Sequence, residues 1–283
     1  MNCIEVKNIT KNFGNICALK NVSLKFEQNK IYGLLGRNGA GKSTLLNIIT
    51  NRIFPDSGEV IIDGEKANEN DKQLGKVYLM NEKNFYPEAM RICDVFKWTR
   101  EFYPDFNMDY ANKLAKQFEL NTKKKVKELS TGYSSIFKII IALSVNVPYI
   151  LLDEPVLGLD ANNRDLFYKT LIENYAENPK TIIISTHLIE EAANVIENIV
   201  IIKKGEILKN ESCEELLSKG YTVSGTASAV ESFIEGRKVI GWDTLGGLKT
   251  AYMWGKIDKS SVPENLEVSK LDLQKLFIKL TNM

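Results

Sequence analysis

The residues best equipped for chemistry lie in Gly36 to Thr44, which reads GRNGAGKST. Gly36, Gly41, Lys42 and Ser43 fill the fixed places of the G-x-x-x-x-G-K-[ST] phosphate-binding pattern. The glycines let the loop turn its N–H groups inward, making a nest for phosphate oxygens. A helix starting at Ser43 would add the positive end of its dipole. In this arrangement Lys42 bridges the β- and γ-phosphates and the Ser43 hydroxyl sits on magnesium. Arg37, Asn38, Gly39, Ala40 and Thr44 complete the candidate ATP-binding set. Two further groups stand out. The carboxylates Asp153 and Glu154 follow the apolar run YILL, and His187, the only histidine in the chain, follows IIIST.

The surrounding segments have to position these groups. KIYGLL before the loop reads as a buried strand and STLLNIIT after it as a helix. CIEVKNI and NVSLKF are period-2 runs joined by a turn at NFGN, and EVIIDG begins a second hairpin that turns at Asp63-Gly64. Strands are expected at 77–84, 149–152 and 181–184. Residues 85–147 read as a helical insertion in two early runs, split at Pro104, followed by an apolar helix capped by Ser130. Amphipathic helices are expected over 163–176 and in LIEEAANVIENI, before the strand pair IVIIKK and EILKN. Short apolar runs alternating with helices imply an α/β fold with a mainly parallel core sheet. Ligands gather at the carboxyl ends of such strands. The phosphate loop, Asn81, Asp153-Glu154 and His187 all fall there.

Composition sets bounds. The chain has 283 residues and a net charge of +1, which gives no general argument for nucleic acid or an anionic membrane. Four dispersed cysteines have neither metal-ligand spacing nor a disulfide pattern. The N-terminus lacks a secretory pattern, and the longest apolar stretch, 139–152, is broken by Asn146 and Pro148. Any membrane-spanning part must therefore come from another polypeptide.

GRNGAGKST, LSTGY, ILLDEP, GLD and STH occur in this order, and over residues 1–220 the chain resembles the ATP-binding subunits of ABC transporters. The resemblance implies a P-loop ABC ATPase with an antiparallel β subdomain and a helical subdomain at about 85–147. It implies ATP and Mg2+ as cofactors. Asp153, with Ser43 and Asn81, would hold the metal. Glu154 would deprotonate the attacking water, and His187 would contact Glu154 and the γ-phosphate. Asp160 of GLD would lie at a dimer seam.

The usual signature LSGGQ is LSTGY here, so Ser130, Thr131 and Gly132 are the residues expected to meet a nucleotide held by another subunit. A head-to-tail dimer follows, with a homodimer favoured and a paralogous partner admitted. Asn81 replaces the usual glutamine, with Glu82 as its alternate. Phe13 is either a base-stacking aromatic or a core residue. The aromatics Phe85, Tyr86, Phe96, Trp98, Phe102 and Tyr103 divide between a docking groove and plain core.

The resemblance further implies a separate transmembrane permease, a place on the cytoplasmic face of the cell membrane, and no nucleic acid as partner. Bacterial exporters of drugs or amphipathic and antimicrobial peptides fit the layout. A soluble ABC ATPase acting on DNA, ribosomes or protein assembly is the alternative. Residues 221–283 lie outside these motifs and read as a small α+β appendage with four strands and two helices.

Overall fold

Period-2 patterning at the N-terminus produces a long hairpin of β1 (Cys3–Phe13) and β2 (Ile16–Glu27). β3 (Ile31–Leu35) then runs straight into the phosphate loop and α1 (Lys42–Ile49). β4 (Ser57–Ile62) turns into β5 (Glu65–Lys66) through Asp63 and Gly64, both at positive φ, as a two-residue hairpin turn requires. A single helical turn, α2 (Asp71–Leu74), leads to β6 (Val77–Met80). The helical insertion is α3 (Ile92–Phe102), α4 (Met108–Gln117) and α5 (Thr131–Ser144). The core resumes with β7 (Tyr149–Asp153), α6 (Ala161–Glu177), β8 (Thr181–Thr186), α7 (Ile189–Ala192), β9 (Asn198–Lys203) and β10 (Glu206–Ser212). This computed structural model describes residues 2–257 and 262–282.

The central sheet has the order β10-β9-β3-β8-β7-β6, parallel except for the β10–β9 pair. β3, β6, β7 and β8 are buried at every position, which a parallel sheet covered on both faces demands. Side chains along a strand alternate between faces. Tyr149 and Leu151 of β7 accordingly join Ile4, Phe26, Leu45 and Ile49 beneath the antiparallel sheet, ordered β2-β1-β4-β5. Ile150 and Leu152 join Phe96, Phe137 and Phe167 beneath the helices.

One expected element is shorter than its pattern. LIEEAANVIENI was expected to be one helix, but α7 ends at Ala192 and Asn198-Ile199 already belong to β9. The competing demand is backbone pairing, since Asn198 and Ile199 register with Tyr32 and Gly33 of β3. Ile196 packs directly on that strand, where a Cβ added to Gly33 would come within 2.5 Å of its Cδ1.

Beyond α8 (Cys213–Ser218), the C-terminal segment forms β11 (Gly220–Thr226), α9 (Ala227–Ile234), β12 (Val239–Leu245), β13 (Leu248–Trp254), β14 (Glu267–Lys270) and α10 (Leu273–Asn282). Its sheet, ordered β12-β13-β11-β14, closes over a small core of Val223, Val230, Ala251 and Met253. α10 does not stay with that core. Leu273, Leu276, Phe277 and Leu280 pack into the main core together with Ile189 and Ala192 of α7. The appendage is therefore anchored beside the element that follows His187. Leu276 is fully buried. Leu276→Ala should cost about 2–5 kcal/mol, measured by denaturant unfolding.

Candidate functional site

The carboxyl ends of β3, β7 and β8 open into a cleft of about 390 Å³. Its wall includes Asn38 to Thr44, Glu82, Glu154, Leu157 and His187, with Ile16 and Ala18 contributed by the N-terminal hairpin. The loop can wrap only because its glycines have no side chain. Gly41 sits at φ +109, and a Cβ there would lie 2.5 Å from the Ala18 carbonyl. A Cβ on Gly36 would lie 2.8 Å from the Ile202 carbonyl. Such enclosed backbone leaves N–H groups at the start of α1 aimed into a concavity suited to phosphate.

Lys42 is almost fully buried, with Nζ donating to the Gly36 carbonyl at 2.8 Å and lying 3.7 Å from Glu154 Oε1. The other oxygen of Glu154 is 2.8 Å from His187 Nδ1. Three groups that sequence alone marks as separate motifs thus form one chain of contacts. Glu154 also adopts φ +49, unusual for a residue with a Cβ, with its N–H held by the Ser185 carbonyl at 2.8 Å. Strained backbone of this kind costs on the order of 1–3 kcal/mol and gathers at functional sites.

Asp153 lies beneath them at the end of β7, buried, with Oδ1 lacking any hydrogen-bond partner among the described residues. An orphaned buried carboxylate oxygen suits a divalent cation. Asp153 itself is not part of the cleft wall, but its neighbour Glu154 is, as is Ser43.

Other expected residues lie elsewhere. The Asn81 side chain is not part of the cleft wall. Its Nδ2 is buried without a partner, while the neighbouring Glu82 faces the cleft. The chain bends on leaving β6, and the carbonyls of both residues turn to one side, toward Lys138 Nζ. The backbone of this loop is held from behind by Lys138, which the sequence reading passed over. Burial pushes the Lys138 pKa down, opposed by Glu82 and Asp153. The available signal was one lysine inside IFKIIIAL.

Arg37 turns away, its Nη1 reaching Asn282 Oδ1 of α10 at 3.4 Å. Phe13 is half exposed at the end of β1, under the Lys11 ammonium at 5.5 Å, and is not part of the cleft wall, whereas Ile16 is.

Ser130 caps α5 by accepting from the Tyr133 N–H at 3.3 Å, and Ser130 and Thr131 are exposed. A Cβ on Gly132 would lie 2.8 Å from the Gly158 carbonyl, so the start of α5 packs on the GLD loop. Ser135 Oγ reinforces this by donating to the Leu157 carbonyl at 2.7 Å. Asp160 caps α6, accepting from the Asn163 N–H at 2.8 Å, a bond that lowers its pKa. Neither Ser130–Gly132 nor Asp160 lines the cleft of its own chain.

Comparison with known proteins agrees with this construction. The family model described as ABC transporter matches residues 19–157. The ABC transporter ATP-binding protein YtrB of Bacillus subtilis is 32% identical over 213 residues, covering 75% of this chain and 73% of that one. The petrobactin import ATP-binding protein YclP of the same organism is 31% identical over 76% of this chain and 88% of its own length. Among solved structures, the dimeric post-hydrolysis ATP-binding cassette MJ0796 bound to ADP and Pi superposes with a TM-score of 0.66 at 30% identity, over 74% of this chain and 98% of that one. The chain belongs to the ABC transporter family, as an ATP-binding subunit that hydrolyses ATP. Membership of this family implies dimerisation and a transmembrane partner, and the MJ0796 cassette is itself dimeric. Among the described residues, no helix is long and apolar enough to cross a membrane.

Proposed function

We propose that two copies of this chain close head-to-tail around ATP at the cytoplasmic face of the membrane and drive a separate permease that exports drugs or amphipathic peptides. The observation that carries the dimer is the exposed start of α5, which lies outside its own cleft while presenting Ser130 and Thr131. A helix N-terminus so placed is suited to the γ-phosphate of another protomer.

In this reading Glu154 takes a proton from the attacking water as its oxygen bonds to the γ-phosphorus, the bond to the β-phosphate oxygen breaks, and ADP departs. His187, with Nδ1 on Glu154, keeps Nε2 for the γ-phosphate. Ser43 and Asp153 would hold magnesium, which supplies positive charge to the phosphate oxygens. Glu82 takes the place expected of Asn81. Phe13 remains a candidate for stacking on the base at the open edge.

Of the aromatics in the helical insertion, Phe85, Trp98 and Phe102 are exposed, whereas Phe96 is buried and Tyr86 and Tyr103 pack on the core. The exposed three support a docking surface for the permease. The small C-terminal appendage supports export. The likeness to an import ATP-binding protein supports the opposite direction as a second reading.

Affinity capture with Glu154→Gln and ATP from detergent-solubilised native membranes, followed by mass spectrometry, tests the proposal. A stoichiometric multi-span protein is the expected result. Recovery of ribosomal proteins or DNA without one would overturn it in favour of a soluble ATPase.

A further inference from the structure

Lys138 interrupts the apolar run of α5, and only 6% of its surface is exposed. A buried ammonium needs acceptors, and it finds two backbone carbonyls: Nζ donates to Asn81 O at 3.0 Å and to Glu82 O at 2.5 Å. These two peptides form the loop that leaves β6. With both carbonyls drawn toward α5, the Asn81 amide is enclosed and Glu82 faces the cleft that holds Lys42 and Glu154.

A methionine of similar length would fill the space without desolvating a charge, but it would leave the Asn81 and Glu82 carbonyls without this donor, at some cost in stability. What the ammonium adds is directionality, since two donated bonds fix the orientation of two successive peptide planes.

We propose that Lys138 is a positioning residue for ATP hydrolysis: it ties α5 to the loop after β6 and thereby holds Glu82 at the phosphate cleft. The N-terminal end of the same helix carries Ser130 and Thr131, about two turns from Lys138. In the head-to-tail reading, on which this consequence rests, contact with the nucleotide of a second protomer bears on the same rod that fixes Glu82.

The test compares Lys138→Met with the unmodified chain in steady-state ATP turnover, ATP affinity and thermal unfolding. We expect kcat to fall about tenfold or more, because displacement of a catalytic group by about 1 Å can cost 100-fold. ATP affinity should stay within about twofold, as expected for a role outside ground-state binding, and the variant should stay folded at the assay temperature despite the two lost carbonyl bonds. Glu82→Gln should slow turnover comparably, and the double variant should be no slower than the slower single one, because both act through one group. Unchanged kcat in Lys138→Met would overturn the proposal. So would a loss of kcat matched by lost affinity or by unfolding at the assay temperature, or a double variant whose loss is the product of the two single losses. Absence of turnover in the unmodified chain would instead strike the hydrolytic reading of the cleft.

Discussion

Glu154→Gln should lower steady-state phosphate release by about 100- to 10,000-fold, the contribution of a positioned general base. The substitution keeps the shape of the side chain and removes its capacity to take a proton. ATP binding should persist, because the loop glycines and Lys42 are untouched. The neighbouring geometry favours a clean result. The bond to the Ser185 carbonyl is made by the backbone N–H of residue 154, and a glutamine oxygen can still accept from His187 at the 2.8 Å spacing seen for Glu154. Phosphate release under saturating ATP, with binding measured in parallel by a fluorescent ATP analogue, checks both halves. A variant that hydrolyses at the unmodified rate would remove Glu154 from the chemistry.

Lys42→Met should weaken ATP binding itself. The ammonium is nearly fully buried, and its partners are the Gly36 carbonyl and Glu154. It therefore stands ready as a charged donor with little solvation to surrender. A hydrogen bond to a charged group is worth about 1.5–3 kcal/mol, or roughly 10- to 150-fold in Kd. Calorimetric titration should show this loss, and turnover should vanish with it. The contrast between the variants is diagnostic: Glu154→Gln separates chemistry from binding, whereas Lys42→Met removes both.

Much of this site could be read from residue order because its parts are local. GRNGAGKST contains its own turn residues and helix start, and Asp153-Glu154 and His187 announce themselves by following buried strands. The fold was equally legible where apolar runs were bounded by turn signals, including the four strands and two helices that the described residues of the C-terminal segment form. The failures share a physical origin in long-range packing. The helix expected after His187 gave way to pairing between β9 and β3 and to the seating of Ile196 on Gly33. Asn81 was expected as a ligand by position, yet its amide is buried outside the cleft wall while Glu82 lines it, in a loop whose carbonyls accept from Lys138, a residue remote in sequence. The return of α10 to the main core, and its approach to Arg37, had no local signal at all.

Mass determination by light scattering on purified Glu154→Gln, with and without ATP and magnesium, tests the central claim most directly. The account predicts a species of 32.0 kDa without nucleotide that doubles in mass when ATP is added. It also predicts that Ser130→Arg, placed at the exposed cap of α5, blocks the doubling while ATP still binds. A chain that remains a monomer at saturating ATP, or a Ser130→Arg variant that dimerises as before, would contradict a site shared between two copies.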